Sequence, residues 1–408
     1  MTATLTDTIR KMASVQEIAS LTPIENSDFL EVAMMKDLGW KVVVKKGEFK
    51  VGDIVAYFEI DSAIDVKNLF PCMEFLKERC LRRLFTSRTP ETSAFSGEYV
   101  RIKTIKLRGQ ISQGLIVPIG EIQKHFPSYT FPNIPEINES IGFNLTQELK
   151  VEVWDRLVEW YDERSQLGPH ACSHAAGNFP DDTPKTDEER IQNRFADLVK
   201  DPANVDGTWE VTVKNDGSSA TLFYRPETWK EKDNGVMQLA SRRFLLKDDG
   251  GSDDWYEVFK RIGWDDLQDK FSSLYGIGLV RKEDGAEIFP AGHELAIQGE
   301  MTGPKFNGNR DRNTENHFRV FRIFDITEQK FVSPNVRYDI CKFLGLEHVK
   351  VLETCQIFHK LKTVDDFLAY AEGPSENGLK REGVVFKRVD DGSVSFKAVS
   401  NSYLLKQE

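Results

Sequence analysis

The sequence predicts an α+β protein in which a small β-barrel precedes a larger domain where strands alternate with helices, and three observations predict it. The chain has 408 residues, more than one hydrophobic core normally organises, so two or three domains are expected. From about residue 13 to 118, short alternating apolar segments are broken by turn residues, the pattern of a small barrel or sandwich. Beyond residue 206, strand-like and helix-like stretches alternate to the C-terminus without repeats or low-complexity tracts.

In the first region the strand candidates are Trp40 to Val44, Ile54 to Ile60 and Val100 to Leu107, with Gly39, Gly47, Gly52 and Gly109 marking turns. Many short strands close most economically as a barrel. Residues 1–11 read as a frayed start. Residues 119–205 change character, because Pro127, Pro132, Pro135, Pro169, Pro180 and Pro184 cut them into short pieces. This connector is expected to carry two helices. One spans about 147–164, where Val151, Val153, Trp154, Leu157, Val158 and Trp160 form an apolar stripe; the other spans about 187–200, capped by Thr186 or Asp187. The expected division is therefore 1–118, 119–205 and 206–408.

Composition narrows the function classes. With 40% hydrophobic and 29% charged residues, no apolar run of the ~18 residues a membrane helix needs and no signal-like start, the chain reads as soluble, intracellular (cytoplasmic or nuclear) and free of membrane. Five widely spaced cysteines without a C-x-x-C pair exclude a disulfide framework or zinc ribbon. His170, Cys172 and His174 lie close together but read as a polar loop. A net charge of −11 argues against nucleic-acid binding by bulk electrostatics and directs attention to local clusters: Lys45 and Lys46; Lys77, Arg79, Arg82, Arg83 and Arg88; and Arg101, Lys103, Lys106 and Arg108.

The most informative segment runs from Trp209 through Lys214, Asp216 and Gly217 to Phe223. A β-branched strand leads into Lys214, Asp216-Gly217 is expected to make a hairpin turn, and a second strand follows, so the lysine sits at a strand end as a candidate nucleophile. K-x-D-G alone is a weak motif. Downstream, however, come Ser241-Arg242-Arg243, Gln298-Gly299-Glu300, Phe321-Arg322-Ile323-Phe324-Asp325, Arg381-Glu382-Gly383-Val384-Val385-Phe386-Lys387 and Ser395-Phe396-Lys397.

This ordered set, over residues 208–406, resembles the motifs of the covalent nucleotidyltransferases: DNA ligases, RNA ligases and mRNA capping enzymes. The Glu300-Met-Thr-Gly-Pro stretch and the run from Lys397 to Lys406 look like RNA ligases. The segments Gly39 to Asp53 and Tyr57 to Ser62 resemble the N-terminal OB module of the RNA ligase 5 family, and Thr186 to Asn193 is similar to that family too. The resemblance implies an OB-like β-barrel followed by a nucleotidyltransferase domain, related to ATP-grasp ligases, of antiparallel sheets and helices. It implies an ATP-dependent RNA ligase joining 3′-OH and 5′-phosphate ends at nicks or RNA ends, with ATP and Mg²⁺ or Mn²⁺ as cofactors and a monomer as the working state.

By that resemblance Lys214 carries AMP, Glu382 and Lys397 complete the catalytic set, and Asp216, Gly217, Arg242, Glu300, Phe321 and Lys387 bind nucleotide. Asp216, Glu300 and Glu382 would hold the metal through water. The adenine platform is Phe321, with Phe324 as the other option. Many relatives carry K-x-K where this chain has Ser395-Phe-Lys397, so Lys387 or Lys406 is expected to supply the second charge. Arg101, Lys103 and Arg108 would contact nucleic acid or the pyrophosphate leaving group. A lysine pKa of ~10.4 must fall for the amine to attack near neutral pH, so the site is expected to lower it. The rival readings are a DNA ligase, a capping guanylyltransferase, or a non-catalytic RNA-binding relative.

Overall fold

A computed structural model describes residues 10–84, 97–125, 141–154, 175–230, 235–248, 253–281 and 285–405. Lys406, Arg88, the His170 to His174 cluster and residues 155–164 of the expected helix lie outside them. Two compact units form, one ending within the stretch 155–174 and the other following it. No helix among the described residues is long and apolar enough to cross a membrane.

The first unit is an OB-type barrel curled around one long strand, Ala13–Pro23. Its first half pairs with Ile54–Phe58 and its second half with Leu30–Met35, with a bulge between Ile18 and Ser20 where the second pairing begins. The bulge bends the strand so that one segment serves both arcs of the sheet. The order is Leu115–Pro118, Ile54–Phe58, Ala13–Pro23, Leu30–Met35, Lys41–Lys45. A second sheet holds Ser62–Asp65 and Gly97–Arg101, and the interior is filled by Val15, Phe58, Ile64, Val100, Leu145 and Leu149.

The helix expected from residue 147 does not form over residues 147–153; helical backbone begins at Trp154. Lys150 has φ +51°, Glu152–Val153 forms a strand against Ser62–Asp65, and Leu149 and Val151 enter the barrel core. Val151 and Val153, the described start of the apolar stripe, thus pack in the barrel interior.

The second unit contains two mainly antiparallel sheets. The larger runs Ala175–Asn178, Phe244–Leu246, Met237–Ser241, Ser218–Tyr224, Leu295–Thr302, His317–Asp325, Lys330–Phe331; the smaller runs Val351–Cys355, Trp209–Lys214, Gly383–Arg388, Ser395–Val399. Strand alternation sorts the smaller sheet by face. Trp209, Val211, Val384, Phe386, Phe396 and Ala398 join one aromatic core. Glu210, Lys214, Lys387, Ser395 and Lys397 occupy the alternate positions. Helices Asp253–Ile262, Trp264–Ile277 and Pro334–Leu344 pack on the larger sheet through a separate core.

The second connector helix is shorter than expected, Ile191–Leu198. The cap-like residues before it are engaged elsewhere: Thr186 Oγ1 bonds Ser219 Oγ at 3.0 Å, Asp187 pairs with Arg242, Ser395 Oγ donates to Glu188 at 2.6 Å, and Glu189 O accepts from Lys397 N at 2.8 Å. Tertiary bonds thus displace the local capping pattern.

Phe386 is fully buried and stacks on Phe396 at 4.7 Å. Phe386→Ala is expected to cost about 3–5 kcal/mol, read as a lowered denaturant midpoint. Val351→Ala, at an exposed position of an outer strand, should stay within about 0.5 kcal/mol.

Candidate active site

Lys214 ends the Trp209–Lys214 strand, but the expected hairpin does not form. That strand pairs with Val351–Cys355 and Gly383–Arg388, whereas Ser218–Tyr224 pairs with Met237–Ser241 and Leu295–Thr302. Asn215 to Gly217 therefore carry the chain from one sheet to the other. Gly217 is required by a close approach and not by a turn. A Cβ there would lie 2.1 Å from Met301 O and 3.0 Å from Glu300 Cγ.

The crossing assembles carboxylates from three places around one amine. Lys214 Nζ donates to Glu382 Oε2 at 2.8 Å, with Glu382 immediately before the Gly383–Arg388 strand that pairs with Lys214's own. Glu300 stands opposite Ser219 in the neighbouring strand. Asp216 is buried; its Oδ1 accepts from Asn307, and Arg310 Nη1 lies 3.5 Å from Oδ2.

The electrostatics overturn one expectation. Burial alone would lower the Lys214 pKa, but Glu382, Glu300 and Asp216 outweigh it and hold the ammonium above the ordinary lysine value. Burial, reinforced by Glu382 and Asp216 against the pull of Lys214 and Arg242, pushes Glu300 up to about 8. Burial likewise raises Glu382. An amine amid three carboxylates stays protonated until positive charge enters the site.

Among the described residues, no three His, Cys, Asp or Glu side chains converge closely enough to grip a bare ion. Yet the donors are all carboxylate oxygens, and Asp216 Oδ2 is a buried acceptor that takes no hydrogen bond. That set fits a hard divalent cation that keeps its waters.

The remaining predicted residues separate into groups. Lys397 faces Glu189 through its backbone, and its charge acts on both Glu188 and Glu382. Arg242, at the tip of the Met237–Ser241 and Phe244–Leu246 hairpin, pairs with Asp187. Phe321 is the extra residue of a β-bulge: Gln298 pairs with Arg322 and Gly299 with Val320, leaving Phe321 between them. A bulge re-aims a side chain, and Phe321 remains half-buried. Phe324 is closed off in the core against Phe331 at 5.1 Å.

Lys387 is buried beneath Phe321; its Nζ donates to Phe321 O at 3.0 Å and lies 5.5 Å from the ring centroid. Burial, then Arg322 and Arg337, lower it to about 7. In the barrel, Arg101 pairs with Asp61 at 2.8 Å and covers Trp154 at 5.4 Å, Lys103 is half-buried, and Arg108 is exposed in the two-residue turn of Thr104–Leu107 and Gln110–Gln113.

Sequence reasoning missed Glu188, Asn307, Arg310, Arg322 and Tyr403. Glu188, Arg322 and Tyr403 lie inside segments singled out by resemblance but are given no role there, the expected helix cap being Thr186 or Asp187. Asn307 and Arg310 carry no spacing that announces them.

Glu382→Gln removes a carboxylate that stabilises the Lys214 ammonium, so the Lys214 pKa should fall and the amine appear at lower pH. The pH profile of Lys214 acylation by a neutral amine reagent should move to lower pH. An unchanged or raised profile would contradict this account.

Comparison with known proteins identifies the fold and the family. An RNA ligase family model matches residues 207–399, and an OB-fold domain model matches residues 12–119. The chain is similar to the solved RNA ligase of Naegleria gruberi with PPi, at 30% identity and TM-score 0.72 over 98% of this chain and 99% of that one. Variants of that enzyme with AMP and Mn (28% identity, TM-score 0.74, 98% and 99% covered) and with ATP and Mn (28%, 0.73, 97% and 99%) are similar also. No curated protein matches.

Proposed function

Because this chain belongs to the RNA ligase family and is an ATP-dependent RNA ligase, we propose that it works through AMP carried covalently on Lys214 and seals nicks in RNA-containing duplexes. The observation that carries this reading is the Lys214 amine, 2.8 Å from Glu382 among carboxylates gathered from distant strands. The Lys214 nitrogen attacks the α-phosphorus of ATP and pyrophosphate leaves. AMP then passes to the RNA 5′-phosphate, and the 3′-OH attacks that activated end, releasing AMP.

A bound Mg²⁺ or Mn²⁺, held through its waters by Asp216, Glu300 and Glu382, would supply positive charge against the carboxylates and beside the reacting phosphate oxygens. The protein's own residues do the rest. Lys397 neutralises the α-phosphate and Arg242 contacts the ribose or phosphate. Phe321 offers its ring to adenine, and stacking of that kind contributes roughly 1 kcal/mol or more. Gly217 lets the backbone pass close to Glu300, so the nucleotide pocket keeps its depth.

Lys387, bonded to Phe321 O, supports the platform from below. In the barrel, exposed Arg108 and half-buried Lys103 serve nucleic acid or pyrophosphate, with Arg101 steadied by Asp61. We assign residues 1–118 to the OB module and 206–408 to the nucleotidyltransferase domain. Residues 119–205 join them, the described part up to 154 packing with the first unit and that from 175 with the second. Cys72, Cys341 and Cys355 are free thiols, in keeping with an intracellular enzyme, and a single chain carries the whole residue set.

Incubation with α-labelled ATP and Mg²⁺ or Mn²⁺ should label the wild-type protein and leave Lys214→Ala unlabelled. Absence of label in the wild type with either metal would remove the covalent mechanism. At a nick, replacing the 3′-terminal ribonucleotide by deoxyribose should slow sealing by at least about tenfold, since shape and 2′-hydroxyls are what distinguish RNA. Equal rates would remove the RNA preference at that end.

A further inference from the structure

Residues 303–316, between the strands that bear Glu300 and Phe321, form a loop with no part in the scheme above. The loop is tied down at every stage. At its base Gly303 has φ +135°, and a Cβ there would meet Asn316 Oδ1 at 2.5 Å. Asn307, Gly308, Asn309 and Arg312 all have positive φ, a costly set of conformations that persists only where surrounding contacts enforce it. Those contacts are present: Asn309 Nδ2 donates to Asn313 O and Asn313 N to Asn309 Oδ1, each at 2.8 Å, and Asn377 Nδ2 donates to Asp311 O at 2.8 Å.

The loop presents Arg310 to the site. Arg310 Nη1 lies 3.5 Å from Asp216 Oδ2 and donates to Tyr403 OH at 2.6 Å, and the guanidinium stacks over the Tyr403 ring at 5.2 Å. Tyr403 belongs to the short helix Asn401–Leu404, and the Ser400 N–H just before it bonds Glu382 O at 2.8 Å. Arg310 therefore stands between the segment that follows Lys214 and the one that follows Lys397.

We propose that Arg310 receives the 5′-phosphate of the RNA strand when AMP is transferred to it. This rests on the lysyl-AMP reading. A phosphate monoester brings nearly two negative charges to a site already holding three carboxylates, so it needs a cation that solvent can reach. The Arg322 side chain is only 7% exposed and Lys387 is buried, whereas the Arg310 side chain is 46% exposed. Arg242 is engaged with Asp187, and Arg319 with Glu347 and Glu376. Both polar contacts of Arg310 use Nη1, so other donors of its five-donor fork remain for a bidentate phosphate contact.

In the step itself, a 5′-phosphate oxygen bonds to the phosphorus of the lysyl-AMP as the P–N bond breaks. The Lys214 nitrogen leaves with a proton taken from solvent, and the product is the RNA end capped by AMP through a pyrophosphate linkage.

The test uses the full chain and separates three readouts: self-labelling with α-labelled ATP, transfer of AMP to a 5′-phosphorylated nick, and sealing of a chemically pre-adenylylated nick. For Arg310→Gln, transfer to the 5′-phosphate should fall about 100-fold while self-labelling and sealing change by no more than about threefold, and Arg310→Lys should recover part of the loss. Unchanged transfer overturns the proposal. So does an equal fall in self-labelling, which would place Arg310 at the ATP step or in the fold. A wild-type protein that never labels removes the lysyl-AMP reading itself, whereas the other two failures leave it standing.

Discussion

The ion pair between Lys214 and Glu382, with Glu300 and Asp216 beside it, is the interaction on which the rest of the catalytic unit depends. A lysine and three carboxylates at the junction of two sheets carry an excess of negative charge. Burial makes that excess costly, and it is tolerated because cationic partners are meant to arrive. The raised pKa values of Lys214 and Glu300 are two faces of the same imbalance. On the proposed covalent mechanism, a lysine held protonated in this way becomes reactive only once nucleotide and cation bring positive charge to the carboxylates, which ties reactivity of the amine to occupancy of the site.

Behind this cluster lies a second, largely buried set of charges that supports it. Glu188 pairs with Arg322 at 3.1 Å, Arg337 pairs with Glu210, and Arg337 Nε donates to His348 Nε2 at 2.8 Å while His348 Nδ1 donates to Val349 O. Two carboxylates thus face two guanidiniums. Lys387 is buried beside them, and burial first, then the two guanidiniums, disfavour a third cation there and lower its pKa. The same count explains Ser395. A lysine there would add yet another cation, whereas the serine hydroxyl donates to Glu188 at 2.6 Å and accepts from Arg322 at 2.9 Å. The departure from K-x-K is thus a neutral bridge inside an already balanced set.

The segment before the helix Ile191–Leu198 shows how the two clusters are joined. Thr186, Asp187, Glu188 and Glu189 run past both sheets and bond in turn to Ser219, Arg242, Ser395 and the Lys397 backbone. One short stretch of chain thereby fixes residues from three other strands or turns. Buried Arg190, whose backbone bridges Lys397, continues the same line. Such a segment pre-organises the site through bonds to residues far away in the chain.

The sequence by itself determined a barrel followed by an α+β ligase domain, and it singled out Lys214, Glu300 and Glu382, which the fold brings together, because strand alternation and residue type are local properties that survive being read in one dimension. The tertiary structure alone decided that Asn215 to Gly217 cross between sheets and make no hairpin, that residues 147–153 line a barrel where a helix was expected, and that Phe321 is turned by a bulge toward availability while Phe324 is buried. It also decided that Thr186 and Asp187 make long-range bonds in place of a cap, and that Arg310 meets Asp216. In each case a contact between residues far apart in the chain outweighed a local preference worth at most about 1–2 kcal/mol, and such contacts leave no periodic trace in the sequence.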